Sequence, residues 1–214
     1  MKAEDFLYPM RLTRFAFPVA AMLLAAFAAF SPSAHAQNIL RNSEVSVSAF
    51  AQFTPDVNGD GVSVHSTHSA GAQGAFRHSY HWWLGYEASY NYTRFADYYS
   101  TLPFSVQHNM HEFAGSYLVT APVGVLGLKP FASAGISAVV FSPSLNGGQN
   151  VSWQAKPGAN FSVGVNYPLL TSHLGLRVQY RGVFYGTPDY GEAPLKTGSN
   201  RLTSEPMAGL YLHF

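Results

Sequence analysis

The sequence predicts an all-β fold: an eight-stranded antiparallel up-and-down transmembrane β-barrel that follows a cleaved signal peptide. Three observations lead there. Charged residues make up only 11% of the 214 residues while aromatics make up 15%, against roughly 25% charged in ordinary soluble domains. The first residues have the order of an export signal. The remainder alternates apolar and polar side chains with period two, in segments about ten residues long, the length a tilted strand needs to cross a bilayer.

The export signal comes first. Arg11 and Arg14 precede the apolar run Phe15 to Phe30, and Ser31-Pro32-Ser33-Ala34-His35-Ala36 follows it. This is the positive, apolar and small-residue order of a secretory leader, with Ala34 and Ala36 as the A-x-A cleavage positions. Pro18 and the helix-breaking Ser-Pro-Ser argue against an uncleaved membrane helix. The expected domains are a signal peptide over 1–36 and an outer-membrane β-barrel domain over 37–214. Cleavage removes Lys2, Arg11, Arg14, Glu4 and Asp5, which leaves equal numbers of basic and acidic side chains. A chain without basic excess has no electrostatic footprint for nucleic acid. With no cysteine, disulfides and thiolate metal sites are excluded. No stretch of the mature chain approaches the ~18 apolar residues of a membrane helix, so any crossing is by strands.

The clearest strand runs from Trp82 to Thr93: Trp82, Leu84, Tyr86, Ala88, Tyr90 and Tyr92 share one face, and Trp83, Gly85, Glu87, Ser89, Asn91 and Thr93 the other. Successive side chains of a strand point to opposite faces, so an aromatic row backs a small polar row. Seven further segments repeat the pattern, at about 44–53, 67–77, 107–119, 130–141, 153–166, 173–185 and 203–214. Long polar connections (54–66, 94–106, 142–152, 186–202) alternate with shorter ones, as expected of outer loops and periplasmic turns. A soluble barrel also alternates, but its polar row faces water. Here that row is mostly Gly, Ser, Ala and Asn, which suits a narrow lumen. Trp82, Phe131, Tyr167 and Phe214 are expected at one membrane rim, and Phe95, Tyr98, Tyr99, Phe141 and Trp153 at the other.

The last strand, Gly209-Leu210-Tyr211-Leu212-His213-Phe214, resembles the C-terminal signature of outer-membrane barrels: a glycine, alternating hydrophobics and a terminal aromatic. Met207 departs from the polar residue that usually opens it. Together with the signal and the eight segments, the mature chain resembles the OmpA/OmpX-type small-barrel family. The resemblance implies that Gly209, Leu210, Leu212 and Phe214 are read by the barrel-assembly machinery and that the surroundings are outer-membrane lipid and lipopolysaccharide. No wall-binding domain is expected after the eighth strand.

The inward phase gathers Glu44, Glu87, Glu112, Lys156, Arg177 and Arg181, with Arg77 and Glu205 beside them, and charges of both signs in a low-dielectric lumen are expected to pair into a network that plugs it. An eight-stranded barrel has room for little else. Asp56-Val57-Asn58-Gly59-Asp60-Gly61 fits the first half of a calcium loop, with Asp56, Asn58 and Asp60 as ligands, but the twelfth position is Thr67 instead of glutamate. The other reading is a plain turn. His108 and His111 fall on opposite faces of a strand and cannot share a metal. No cofactor is expected. The leading expectation is a non-enzymatic barrel serving envelope integrity or contact with an unidentified surface ligand. The alternatives are a lipid A-modifying enzyme, requiring serine and acid near His68 or His111 on the outer rim, and an adhesin presenting Tyr98 and Tyr99.

Overall fold

The structure, a computed structural model, describes residues 40–122, 127–143, 152–169 and 173–214. The expected signal peptide over 1–36, with Ala34 and Ala36, lies outside the described residues. The strands are β1 (Ser43–Gln52), β2 (Val57–Gly59), β3 (Val62–Ser66), β4 (Ser69–Ser79), β5 (Leu84–Tyr99), β6 (Ser105–Thr120), β7 (Lys129–Pro143), β8 (Gln154–Pro168), β9 (Leu174–Gly186) and β10 (Asn200–His213). β1 and β4 to β10 each pair antiparallel with their neighbours, and the β5 to β6 pairing closes the ring. Among the described residues no helix is long and apolar enough to cross a membrane.

Register fixes the tilt. Stepping across partners from Leu212 through Val45, Phe76, Ala88, Gly115, Ile136, Ala159 and Phe184 returns to β10 at Leu202. The path has climbed ten residues from Leu212 to Leu202. At ~3.3 Å per residue and ~4.8 Å between eight strands, that stagger corresponds to a tilt of about 40° and a rise of about 2.5 Å of height per residue. Every residue on the path is apolar and outward, so it traces a lipid-facing belt about 25 Å tall. No charged side chain stands on this belt among the described residues, as the ~2–4 kcal/mol cost of a basic residue at the bilayer midplane requires.

The outward rows follow the alternation. Val47, Phe113, Tyr117, Ile136, Val163, Val178 and Leu210 are exposed on the chain, whereas Arg77, Glu87, Glu112, Arg177 and Arg181 are buried. One ladder is interrupted: β1 pairs with β10 from Glu44↔His213 to Phe50↔Met207 and resumes at Phe53↔Ser204. Pro206 stands in the gap, and without an N–H it cannot complete the ladder there.

The structure departs from the expected strands on its outer side. β5 runs on to Tyr99, β6 begins at Ser105 and β10 at Asn200, so the wall is taller than the membrane-crossing segments alone. The expected first loop contains the β2–β3 hairpin, which adds to β5 through Val64↔Tyr99, His65↔Tyr98 and Ser66↔Asp97. Its two-residue turn is Asp60 (φ 46°) and Gly61 (φ 78°), both left-handed, as a turn matched to the strand twist demands.

Candidate functional site

Three guanidinium-centred layers stand in the lumen. Nearest the periplasmic end, Arg177 donates to Glu44 Oε2 (2.5 Å), Ser46 Oγ (3.0 Å) and Asn166 Oδ1 (2.8 Å). Beside it Arg77 pairs with Glu87, donates to Gln179 Oε1 at 3.1 Å and lies 4.1 Å from the Phe131 ring centroid. In the middle layer Arg181 bridges two carboxylates, bonding both oxygens of Glu112 (2.6 and 2.7 Å) and Glu205 Oε2 (2.7 Å). Above it Arg201 reaches Asp97 (3.3 Å) and Ser66 Oγ (2.9 Å), while Ser66 donates to Asp97 at 2.5 Å. Each carboxylate is thus met by a cation, the arrangement burial demands when an unpaired charge costs several kcal/mol.

At the outer mouth an apolar cluster takes over. Tyr190 and Leu195 from the β9–β10 loop and Val62 and Val64 from β3 pack on Phe95, Tyr99, Val106, Phe141 and Tyr185, all buried. His108 is enclosed there, with ring centroids of Phe95 and Phe141 at 4.3 and 5.4 Å and Asp97 Oδ2 at 3.7 Å; neither imidazole nitrogen has a hydrogen-bond partner. The loops are tied down by Tyr99 Oη donating to Pro188 O (2.9 Å), Thr101 Oγ1 to Pro194 O (2.6 Å) and Ser199 Oγ to Asn58 O (3.0 Å). Tyr190 adopts φ 53°, a conformation a bulky residue keeps only when its surroundings hold it there. Burial pushes the Tyr190 phenol above its ordinary value, and the nearby Tyr99 and Asp97 add to this.

In the same loop Asp189 is partly shielded, which opposes ionisation, yet Gln154, the Gly191 N–H and Lys156 hold its carboxyl below the ordinary value. A depressed carboxyl contributes stability that is present at neutral pH and is lost as pH falls through the folded-state value. The Gly191 amide resonance, followed by NMR, is therefore expected to stay constant from pH 7 to 5 and to titrate with a midpoint below the ~3.9 of a free aspartate. In Asp189→Asn that titration is expected to vanish.

Several expected positions differ. Lys156 stands apart from the lumen layers: it is on the inward phase, but so near the outer end of β8 that it pairs with Asp189 at 3.5 Å. Phe131, Phe95, Tyr99 and Phe141 are buried inward rather than placed at the membrane rims. Odd-numbered residues of β5 face inward, and Tyr99 simply continues that phase, so of the two tyrosines considered for adhesion only Tyr98 is exposed. Asp56, Asn58 and Asp60 are spread along an extended hairpin rather than curled around a centre, and Asp56 is engaged by His65 Nδ1 at 2.6 Å. A calcium loop has to wrap its ligands around the ion, whereas the backbone here pairs as a hairpin, Val57↔Val64 to Gly59↔Val62. His108 faces in and His111 out; the His111 Nδ1 partner is Tyr90 Oη at 2.8 Å, and His68 packs on Phe53. Leu210, Leu212 and Phe214 are exposed on the outer wall, and Gly209 lies against the β1 backbone. Asp97 and Arg201 have no role in the sequence reading and His108 only that of a rejected metal ligand, yet extending the alternation beyond the membrane places all three inside.

Comparison with known proteins agrees with this architecture. Residues 22–201 match the family described as Outer membrane protein beta-barrel domain. Neisserial surface protein A superimposes with a TM-score of 0.59 at 19% identity, covering 81% of this chain and 97% of that one. The outer membrane protein OprG from Pseudomonas aeruginosa superimposes with a TM-score of 0.55 at 12% identity, covering 81% and 96%. No curated protein sequence matches the chain. The chain belongs to the outer membrane protein β-barrel domain family and sits in the lipid of the bacterial outer membrane.

Proposed function

We propose that this protein is a non-enzymatic barrel with a sealed lumen, serving envelope integrity and presenting its outer surface to the cell's surroundings. The observation that carries this reading is the stacking of the Tyr190 and Leu195 cap over the Arg201, Arg181 and Arg77–Arg177 layers, which supports a wall that adds no leak. Export depends on residues 1–36, with cleavage after Ala36. The last strand, through Gly209, Leu210, Leu212 and Phe214, is the segment read by the assembly machinery.

Planar-bilayer recording tests the seal. The intact barrel is expected to show no discrete conductance steps at neutral pH. Deleting residues 188–198, which removes Tyr190 and Leu195 from the cap, is expected still to give no water-filled pore, because the three guanidinium layers lie beneath. Large, long-lived steps from the intact protein would replace this reading with a channel.

A further inference from the structure

The outward face of β5 and β6 continues past the lipid-facing belt and changes character there. Tyr90 and Phe113, partners across the two strands, end the apolar run. Above them the same phase carries Tyr92 and Arg94 on β5 and His111, Asn109 and Gln107 on β6. At about 2.5 Å per residue, Gln107 stands about 15 Å above Phe113, at the height of headgroups and beyond. These side chains are tied in cross-strand pairs: Tyr90 Oη with His111 Nδ1 (2.8 Å), Tyr92 Oη to Asn109 Oδ1 (3.1 Å) and Arg94 Nη2 to Gln107 Oε1 (2.8 Å). Trp153, largely exposed, stacks on His111 at 6.2 Å and 11°.

Arg94 decides what this ladder meets. Its guanidinium is exposed, stands on the lipid-facing phase at the membrane boundary and has no carboxylate partner among the described residues. A planar fork of donors pairs best with a phosphate or carboxylate, and amides beside aromatic faces offer hydrogen bonds and stacking to a sugar ring. A molecule whose acyl chains lie on the belt around Phe113 and Ala88 brings its headgroup directly onto this ladder.

We propose that the β5–β6 outer face docks the phosphorylated saccharide headgroup of an outer-leaflet glycolipid in the same membrane. Arg94 takes a phosphate, and Gln107, Asn109 and Tyr92 bond the sugar. This rests on the outer-membrane placement and is independent of the sealed lumen: bilayer conductance does not sense this face, so the two readings fail separately.

The test uses the refolded barrel in phosphatidylcholine nanodiscs with Trp82→Phe and Trp83→Phe, which leaves Trp153 as reporter. Titration with rough lipopolysaccharide is expected to change Trp153 fluorescence saturably, with affinity falling as salt rises. Arg94→Gln is expected to weaken binding at least tenfold, and Gln107→Ala with Asn109→Ala several-fold, both with unchanged heat-shifted gel mobility. Dephosphorylated lipopolysaccharide is expected to bind the parent barrel as poorly as the intact glycolipid binds Arg94→Gln. Soluble core oligosaccharide phosphate binding as tightly as the glycolipid would overturn docking in the same membrane. Equal affinity of Arg94→Gln and parent, or no salt dependence, would overturn the site itself.

Discussion

Replacing Arg181 with methionine is expected to lower the unfolding free energy by ~3–5 kcal/mol, seen as a drop of the temperature at which the folded gel band converts to the unfolded one. Glu112 and Glu205 are both fully buried, and Arg181 bonds both, so its removal leaves two carboxylates facing each other without a cation. The cost arises from stranded charge, not from the worth of the bridge itself, because desolvating three ions offsets most of their attraction. Hence Arg181→Met combined with Glu112→Leu and Glu205→Leu is expected to recover most of the loss. A single variant as stable as the parent would show that the lumen is wet enough to solvate the pair.

Gly209→Val is expected to abolish closure of the barrel. A side-chain carbon at Gly209 would lie 2.2 Å from the Val47 carbonyl oxygen and 2.5 Å from Ser48 Cα, and backbone on the neighbouring strand cannot swing away as a flexible side chain can. The clash falls within the continuous part of the β1–β10 seam, so no heat-shifted band is expected even on refolding into vesicles without cellular components. Phe214→Ala separates folding from recognition. It is expected to refold normally in vesicles while assembling several-fold more slowly in cells. Equal slowing in both settings would make Phe214 a packing residue and not part of a signal.

Which positions face lipid and which face the lumen was legible in the sequence wherever lipid enforces it. Hydrocarbon rejects charge and period two leaves no choice of phase, so Glu87, Glu112, Arg177 and Arg181 could be placed inside from alternation alone. Above the membrane that enforcement stops. Residues 54–66 read as a polar loop, yet Asp60-Gly61 between Val57 and Val62 carries the signature of a hairpin turn. Phe95 and Phe141 read as rim aromatics because aromatics are common at interfaces, although their parity puts them inside. Lys156 had the right phase, but phase says nothing about height, and Asp189 in a long loop was out of reach of any strand pattern. The Arg201–Asp97–Ser66 contacts depend on β10 beginning at Asn200 and on β3 adding to β5, neither of which periodicity over the membrane span reveals.

The apolar cap over the outer mouth also divides the molecule thermally. The outer wall keeps its apolar side chains against lipid or detergent whether or not a strand has come loose, so separating strands there exposes little new hydrocarbon to water. Opening the cap wets Val62, Val64, Phe95, Phe141 and Leu195, and apolar surface transferred to water raises the heat capacity. The cap therefore carries a curved stability profile that weakens on cooling as well as on heating. The lumen below it, although Phe50, Phe131 and Met207 are buried there too, is richer in ion pairs and hydrogen bonds, whose exposure lowers the heat capacity, so cooling is expected to loosen the outer end first.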